Sequence, residues 1–257
     1  MADEFKTIRF EKDEHVATIT LNRPPLNVLN IEMMRELNTV LEGLKEDHKL
    51  KVVIFRAEGK AFSAGVDVSD HTEEKVEEMI HIFHQIFFNM THIKAPFVAL
   101  VEGAALGGGC ELATFCDIVL ASEKSKFGQP EIKVGVFPPI ATVMFPRFVG
   151  QKKALELLLT GDTVSAQEAR EMGLINAVFP VETFQDGADK FIEKLSGLSS
   201  VVLQLTKQGF YESFGEEYHQ GVATVENIYL NSLMKTHDAN EGLKAFLEKR
   251  NPEWKNE

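Results

Sequence analysis

The stretch VEGAALGGGCELATFCD, residues 101–117, combines three consecutive glycines with an apolar run of helical length and one carboxylate, Glu111. Ordered glycine costs backbone entropy, and a carboxylate is costly to bury without a compensating partner. Glycines at the start of a helix let a ligand approach the backbone, and the helix N-terminus offers unpaired N–H groups with a partial positive charge. The stretch therefore suits an anion or a developing oxyanion, although close packing of a helix on a strand explains the glycines equally well.

Two further segments share this character. The turn FSAGVD, residues 62–67, also follows a buried apolar run, and the segment FGQPEIKVG, residues 127–135, carries a second carboxylate, Glu131, without helical or strand periodicity. The glycine spacings match neither the dinucleotide fingerprint nor a P-loop. Since ligands bind at the carboxyl edge of a parallel sheet, one N–H group from each glycine turn could converge on one oxygen there. Taken alone, Glu131 is more simply a solvated loop carboxylate.

Strand and helix patterns alternate along the first two thirds of the chain, which predicts βαβ units and a mainly parallel sheet. Helical patterns dominate from Lys152 onward, and strand signals end near Ser196. We therefore divide the chain into an α/β core, residues 1–195, and a helical C-terminal region, residues 196–257, which packs on the core or on a neighbouring subunit. The predicted strands are HVATITL (15–21), LKVVIFRAEG (50–59), APFVALVEG (95–103) and DIVLASE (117–123), and the predicted helices include residues 31–47 and 73–90.

Composition narrows the functional class. The chain has 257 residues, 44% of them hydrophobic, and a net charge of −12, which argues against nucleic acid as a main partner. Two cysteines, Cys110 and Cys116, form no CxxC motif, which fits a reducing compartment. The charged N-terminus lacks the apolar segment of a signal peptide, and no run is long enough to span a membrane. We expect a cytoplasmic protein.

The chain resembles the crotonase (enoyl-CoA hydratase/isomerase) superfamily. The resemblance is carried by AEGKAFSAGVDV (57–68), by VEGAALGGGCELATFCDIVLASEKSKFGQPEIKVG (101–135) and by LTGDTVSAQEAREMGLINAVFP (159–180). It implies the ClpP/crotonase-like spiral fold of ββα units and an acyl-CoA thioester as substrate. By the same resemblance, the backbone N–H groups of Val66 and Gly108 hold the thioester oxygen, and Glu111 and Glu131 manage the attacking water and its protons. No cofactor or metal is implied, because coenzyme A is part of the substrate.

By this resemblance, retention of both glutamates favours hydration over dehalogenation, decarboxylation or carbon–carbon bond cleavage. An enoyl-CoA isomerase and a non-catalytic acyl-CoA-binding protein of this fold remain the alternatives. The resemblance also implies a homotrimer or homohexamer, with the segment AFLEKR (245–250) reaching a neighbouring subunit's coenzyme A, although a plain amphipathic helix end explains that segment equally well. The residues that the resemblance places at the substrate are Ala64, Asp67, Val68, Pro139, Phe246 and Lys249.

The chain departs from common hydratases where it has VFPPIATVMFPR, residues 136–147, in place of a glycine-rich turn. Pro139 stands where a small glycine usually adjoins the catalytic water, and proline adds bulk without an N–H donor. Within the superfamily, GVDVSDHTEEKVEEM (65–79) and VGVFPP (134–139) most resemble cyclohexa-1,5-diene-1-carbonyl-CoA hydratases. The turn NRPPLNVLN (22–30) lacks a lysine that is often found there, which puts the usual adenine and phosphate contacts in doubt.

Other side chains have simpler interpretations. His81 and His84 have metal-binding spacing on one predicted helix, but an exposed helical face is the favoured interpretation. His71 could contact substrate, although a capping Asp70 beside a solvated His71 is simpler. The aromatic residues Phe83, Phe87 and Phe88 could line a pocket but fit a core stripe.

Overall fold

A computed structural model of the chain shows two β-sheets with helices packed against them, and it describes residues 5–198, 200, 203, 204, 206, 207, 211, 230, 231, 233–235 and 237–250. The strands of this described part are β1 (Ile8–Lys12), β2 (Val16–Leu21), β3 (Val52–Ala57), β4 (Ala61–Ser63), β5 (Phe97–Val101), β6 (Ala104–Leu106), β7 (Ile118–Ser122), β8 (Lys126–Gly128), β9 (Thr163–Ser165) and β10 (Ala177–Phe179). Its α-helices are α1 (Ile31–Leu44), α2 (Val76–His92), α3 (Gly108–Phe115), α4 (Pro139–Val149), α5 (Gln151–Thr160), α6 (Ala166–Glu171), α7 (Phe184–Ser196) and α8 (His237–Leu247). Short 3-10 helices cover Val68–Asp70, Pro130–Val134, Val181–Thr183 and Leu233–Lys235.

The larger sheet has six strands in the order β1-β2-β3-β5-β7-β10. Only the β1–β2 pair is antiparallel, and the other neighbours run parallel. The central strands β3 and β5 read as continuous apolar runs because both of their faces are covered. On one face, Phe184 and Ala188 of α7 pack into a cluster with residues of β3, β5 and β7. The predicted mainly parallel sheet is confirmed.

The smaller sheet, β4-β6-β8-β9, corrects one feature of the sequence interpretation. Both glycine turns were expected directly after long buried strands. Instead, each long strand is followed by a three-residue strand of the second sheet, and the turn begins there. The path β3–β4–α2 is repeated as β5–β6–α3 and β7–β8–α4, which gives successive ββα units. Because β4 and β6 pair in parallel, their two turns emerge side by side.

The C-terminal helix α8 joins the same hydrophobic core as the sheets. Ala239 and Leu243 are buried in it, and Gly242 lies so close to the carbonyl oxygen of Val134 that a side chain there would clash. The boundary at residue 195 and an oligomerisation role for residues 196–257 stay predictions. Much of the predicted helical sequence between residues 199 and 236 lies outside the described residues.

No helix among the described residues is both long and apolar enough to cross a membrane. The expected cytoplasmic location stays a prediction.

Candidate functional site

A cavity of about 400 Å³ lies where the glycine turns, the 3-10 helix 130–134 and α8 meet. Its volume lies within the range of small-molecule sites. Most of its wall is apolar, and its acidic side chains are Glu111 and Glu131. The sequence-predicted residues that line it are Ala64, Val66, Val68, Gly108, Glu111, Glu131, Pro139 and Phe246.

The two glycine turns touch at one end of this cavity. A Cβ atom on Gly65 would lie 3.7 Å from the backbone nitrogen of Gly108, and one on Gly108 would lie 2.7 Å from Cγ2 of Val66. In the described chain, the N–H groups of Val66 and Gly108 donate to no other protein group. Gly108 is the first residue of α3, whose N–H has no intrahelical partner, and the helix dipole adds positive potential there. Two unpaired donors from separate turns therefore border one cavity.

Gly107 has the backbone that this arrangement requires, with φ 51° and ψ −131°. A Cβ on Gly107 would lie only 2.5 Å from Oε1 of Glu131. The glycine thus serves two purposes, since it accommodates a positive φ and leaves room for the carboxylate of Glu131.

Glu111 is buried on α3, and its Oε1 accepts a hydrogen bond from the backbone N–H of Ala141 at 2.8 Å. Ala141 is in the first turn of α4, which begins with Pro139. Proline suits that first position because its missing N–H would have had no intrahelical partner. Burial raises the pKa of Glu111 to about 7, against the lowering effect of the Ala141 and Ile140 N–H groups.

Glu131 lies on the 3-10 helix 130–134, whereas the sequence indicated an irregular loop. Its side chain is not simply solvated, because it faces the cavity and Gly107. Burial raises the pKa of Glu131 well above its usual range, and the nearby charge of Glu111 raises it further. Its own backbone N–H, in the first turn of that 3-10 helix, offsets these two effects only in part.

Gln129 belongs to this site, and sequence reasoning did not select it. The side chain is fully buried. Its amide is oriented so that Nε2 donates to Gly107 O and to Glu131 Oε2, each at 3.3 Å, because in the opposite orientation the amide oxygen would face only acceptors. The signal was present in the motif FGQPEI, where a polar residue immediately precedes Pro130.

Two predicted substrate contacts lie away from the cavity wall. Asp67 caps the 3-10 helix 68–70 through Ser69 N and lies 3.4 Å from the guanidinium of Arg23, in a neighbouring polar cleft. Lys249 is exposed in the turn after α8 and has φ 55°. Phe246, by contrast, lines the cavity of its own chain while remaining more than half exposed, at 54%. Contact with a neighbouring subunit's substrate stays a prediction.

The structure also shows the side chains for which the sequence favoured a structural role over a functional one. Asp70 is a cap, as expected, but its carboxylate accepts from Ile31 N at the start of α1. His71 is half-buried against the cavity, so the expectation of a solvated histidine is wrong. Phe83 lines the cavity, while Phe87 belongs to the core. Within the described ranges, no three His, Cys, Asp or Glu side chains group in a way that could hold a metal ion.

A family model described as enoyl-CoA hydratase/isomerase matches residues 11–257. The chain belongs to the enoyl-CoA hydratase/isomerase family. A relative named "Probable enoyl-CoA hydratase, mitochondrial" from Dictyostelium discoideum is 38% identical over 98% of this chain and 92% of its own length. "Enoyl-CoA hydratase, mitochondrial" from Pongo abelii is 36% identical over 96% of this chain and 86% of its own length.

The fold agrees with this family. The crystal structure of an enoyl-CoA hydratase from Mycobacterium avium subsp. paratuberculosis K-10 superposes with a TM-score of 0.88 at 28% identity, covering 98% of this chain and 99% of that one. The predicted α/β crotonase fold is confirmed. The relatives are named as hydratases, which are lyases that add water, so the predicted enzyme class is confirmed at that level.

Proposed function

We propose that this protein hydrates the conjugated double bond of an enoyl-CoA thioester. The observation that carries the proposal is the meeting of the buried carboxyl group of Glu111, the half-buried one of Glu131 and two unpaired backbone donors at one cavity. Hydration needs a base for water, an acid for the α-carbon and stabilisation of the negative charge on the thioester oxygen, and this arrangement can supply all three.

In the proposed reaction, the thioester carbonyl oxygen binds between the N–H groups of Val66 and Gly108. Water adds its oxygen to the β-carbon, and the electron pair of the double bond moves toward the carbonyl to give an enolate. One backbone donor to such an oxyanion is typically worth about 3 kcal/mol of transition-state stabilisation. The donors are fixed by the glycine turns, so they need little reorganisation during the reaction.

The different surroundings of the two carboxyl groups suggest which one holds a proton. Glu111 accepts from Ala141 N–H near the start of α4, which favours its ionised form. Glu131 has only its own backbone N–H for such support, and the charge of Glu111 disfavours a second charge beside it. We therefore assign Glu111 as the base that takes a proton from water and Glu131 as the acid that protonates the α-carbon. Glu111 gains one proton and Glu131 loses one, so the two carboxyl groups together hold the same number of protons before and after the reaction.

For the acyl group, we propose a cyclic dienoyl-CoA such as cyclohexa-1,5-diene-1-carbonyl-CoA. Pro139 supports this proposal, because its ring forms part of the wall next to the helix turn that holds Glu111. Phe137 and Pro138 extend this wall with further apolar surface, against which a flat ring can pack. The reaction as proposed uses no metal or redox cofactor beyond the coenzyme A of the substrate. We further propose a homotrimer or homohexamer.

A turnover assay tests the proposal. Wild-type protein is incubated with crotonyl-CoA or the cyclic dienoyl-CoA, and loss of conjugated absorbance is followed together with product mass. Hydration adds the mass of one water, whereas an isomerase product has unchanged mass, and no change with either substrate would favour a non-catalytic acyl-CoA-binding protein.

Two variants test the assigned roles. Glu111→Gln and Glu131→Gln should each lower kcat by at least about a hundredfold, the lower end for general acid–base catalysis. KM should change little, because the oxyanion donors are backbone groups. Glu102→Gln is the matched control, since Glu102 is an exposed carboxylate between β5 and β6. Near-native turnover by either active-site variant would refute the two-carboxylate mechanism.

A further inference from the structure

His71 is a neutral polar side chain in the cavity wall formed by Val68, Met79 and other apolar residues. It follows the 3-10 helix 68–70 and precedes α2, so its backbone is held between two helical segments. The cavity's charged side chains are the carboxyl pair already described and Lys133, whose Nζ lies 3.6 Å from Asp162.

The hydrogen bond at one ring nitrogen fixes the protonation of the other. His71 Nδ1 lies 3.1 Å from the backbone carbonyl oxygen of Asp67. A carbonyl oxygen only accepts, so Nδ1 carries the proton and donates it. In the neutral ring, Nε2 then has a lone pair and can only accept.

The ring is neutral because burial lowers the pKa of His71, and this effect outweighs the Asp67 carbonyl and the charges of Asp70 and Asp67. Nε2 makes no hydrogen bond to any described residue. The protein does not enclose this nitrogen fully, since Nε2 keeps some accessible surface. The acceptor is therefore open to whatever fills the cavity.

We propose that His71 is a specificity-determining residue that accepts a hydrogen bond from a hydroxyl group on the substrate's acyl chain or ring. This inference rests on the proposed function, because it concerns the acyl part of the same thioester. A site with a built-in acceptor favours a substrate that brings the donor over an analogue that lacks it, because only the former makes that hydrogen bond in the cavity. The acyl group is thus a conjugated enoyl or cyclic dienoyl group that carries a hydroxyl, and a hydroxylated ring should be preferred to the unsubstituted cyclohexa-1,5-diene-1-carbonyl group.

The test compares hex-2-enoyl-CoA with its analogues bearing a hydroxyl at carbon 4, 5 or 6. Wild-type kcat/KM should favour at least one hydroxylated substrate by about tenfold, the effect of one well-placed hydrogen bond. His71→Leu should reduce that preference to less than about twofold. His71→Gln, which keeps an acceptor, should retain part of the preference. His81→Leu removes an exposed histidine of α2 and should leave every rate at the wild-type value.

A wild-type enzyme that treats all four substrates alike would overturn the proposal, as would a His71→Leu variant that keeps the preference. Binding of the saturated ligands, hexanoyl-CoA and its analogues hydroxylated at carbon 4, 5 or 6, separates this proposal from the proposed function. If no enoyl-CoA is hydrated but wild-type protein binds a hydroxylated ligand about tenfold more tightly and His71→Leu does not, the hydratase proposal fails while the His71 proposal stands. Equal binding in both proteins refutes the role of His71.

Discussion

Removing the charge of Glu111 should stabilise the folded protein at neutral and alkaline pH while abolishing most activity. Burial raises the pKa of Glu111 from its ordinary value of 4.5 to about 7. The folded chain therefore binds this proton more tightly than the unfolded chain does. Its contribution to stability is fully present below pH 4.5 and is lost as the pH rises through about 7.

The size of the effect follows from that interval. Each pH unit between the two pKa values corresponds to about 1.4 kcal/mol, so the wild-type protein should lose about 3 kcal/mol of unfolding free energy across it. The glutamine side chain of the Glu111→Gln variant stays neutral at every pH, and its amide oxygen can still accept from Ala141 N–H. The variant should match wild type near pH 4.5 and exceed it by up to about 3 kcal/mol at pH 8.

The assay is urea unfolding of both proteins at several pH values and one fixed protein concentration, because oligomer stability depends on concentration. Only the difference between the two proteins is interpreted, which cancels the titrating groups remote from Glu111 and leaves Glu111 with the neighbouring carboxyl of Glu131. Glu102→Gln should follow the wild-type curve, since its carboxylate is exposed. The reasoning is refuted if the difference between Glu111→Gln and wild type is independent of pH, or if the variant is less stable at pH 8.

Three further predictions concern geometry and assembly. Gly107→Ala should lower kcat at least tenfold by displacing Glu131, whereas Gly150→Ala, at a similarly restricted positive φ but with open space around its Cβ, should keep near-native kcat; equal activities would contradict the assigned contact. Pro139→Gly should raise kcat/KM for crotonyl-CoA relative to the cyclic dienoyl-CoA by about tenfold, or roughly 1.4 kcal/mol, and equal changes on both substrates would count against the specificity proposal. Deleting the chain after Ser196 should give insoluble or monomeric protein, and a soluble trimer or hexamer by light scattering would exclude the C-terminal region as the assembly element.

The sequence predicted the long strands because their apolar runs are long enough to show burial on both faces. It did not reveal β4, β6 and β8, since three residues carry no usable periodicity. These strands are held by pairing between distant segments, which leaves no local signature. For this reason the sequence placed both glycine turns at the edge of the larger sheet, whereas they follow β4 and β6 of the smaller one. Their proximity to each other was correctly predicted.

In the site, too, features that depend on neighbouring residues in the sequence could be predicted, and contacts between distant segments could not. Glu111 could be selected because a carboxylate next to glycines is unusual within a single stretch. Its hydrogen bond from Ala141, 30 residues away, could not be inferred from that stretch. The exposure of His71 was wrongly predicted for a related reason, since polar residues surround it in sequence and apolar ones surround it in the cavity.

Glycine is needed at each of positions 107, 108 and 109 for a different physical reason. A Cβ on Gly109 would lie 2.5 Å from Cβ of Ser63, so this glycine is required for packing a helix on a strand. A Cβ on Gly108 would meet Val66 and Phe83 at the cavity, where an N–H group is unpaired. At Gly107 the space is taken by Glu131 itself. Close packing therefore accounts for Gly109 and contributes at Gly108 through Val66 and Phe83, but it leaves Gly107 unexplained. Gly107 and Gly108 together give the half-buried carboxyl group of Glu131 and a backbone donor room beside the same cavity, which packing alone does not require.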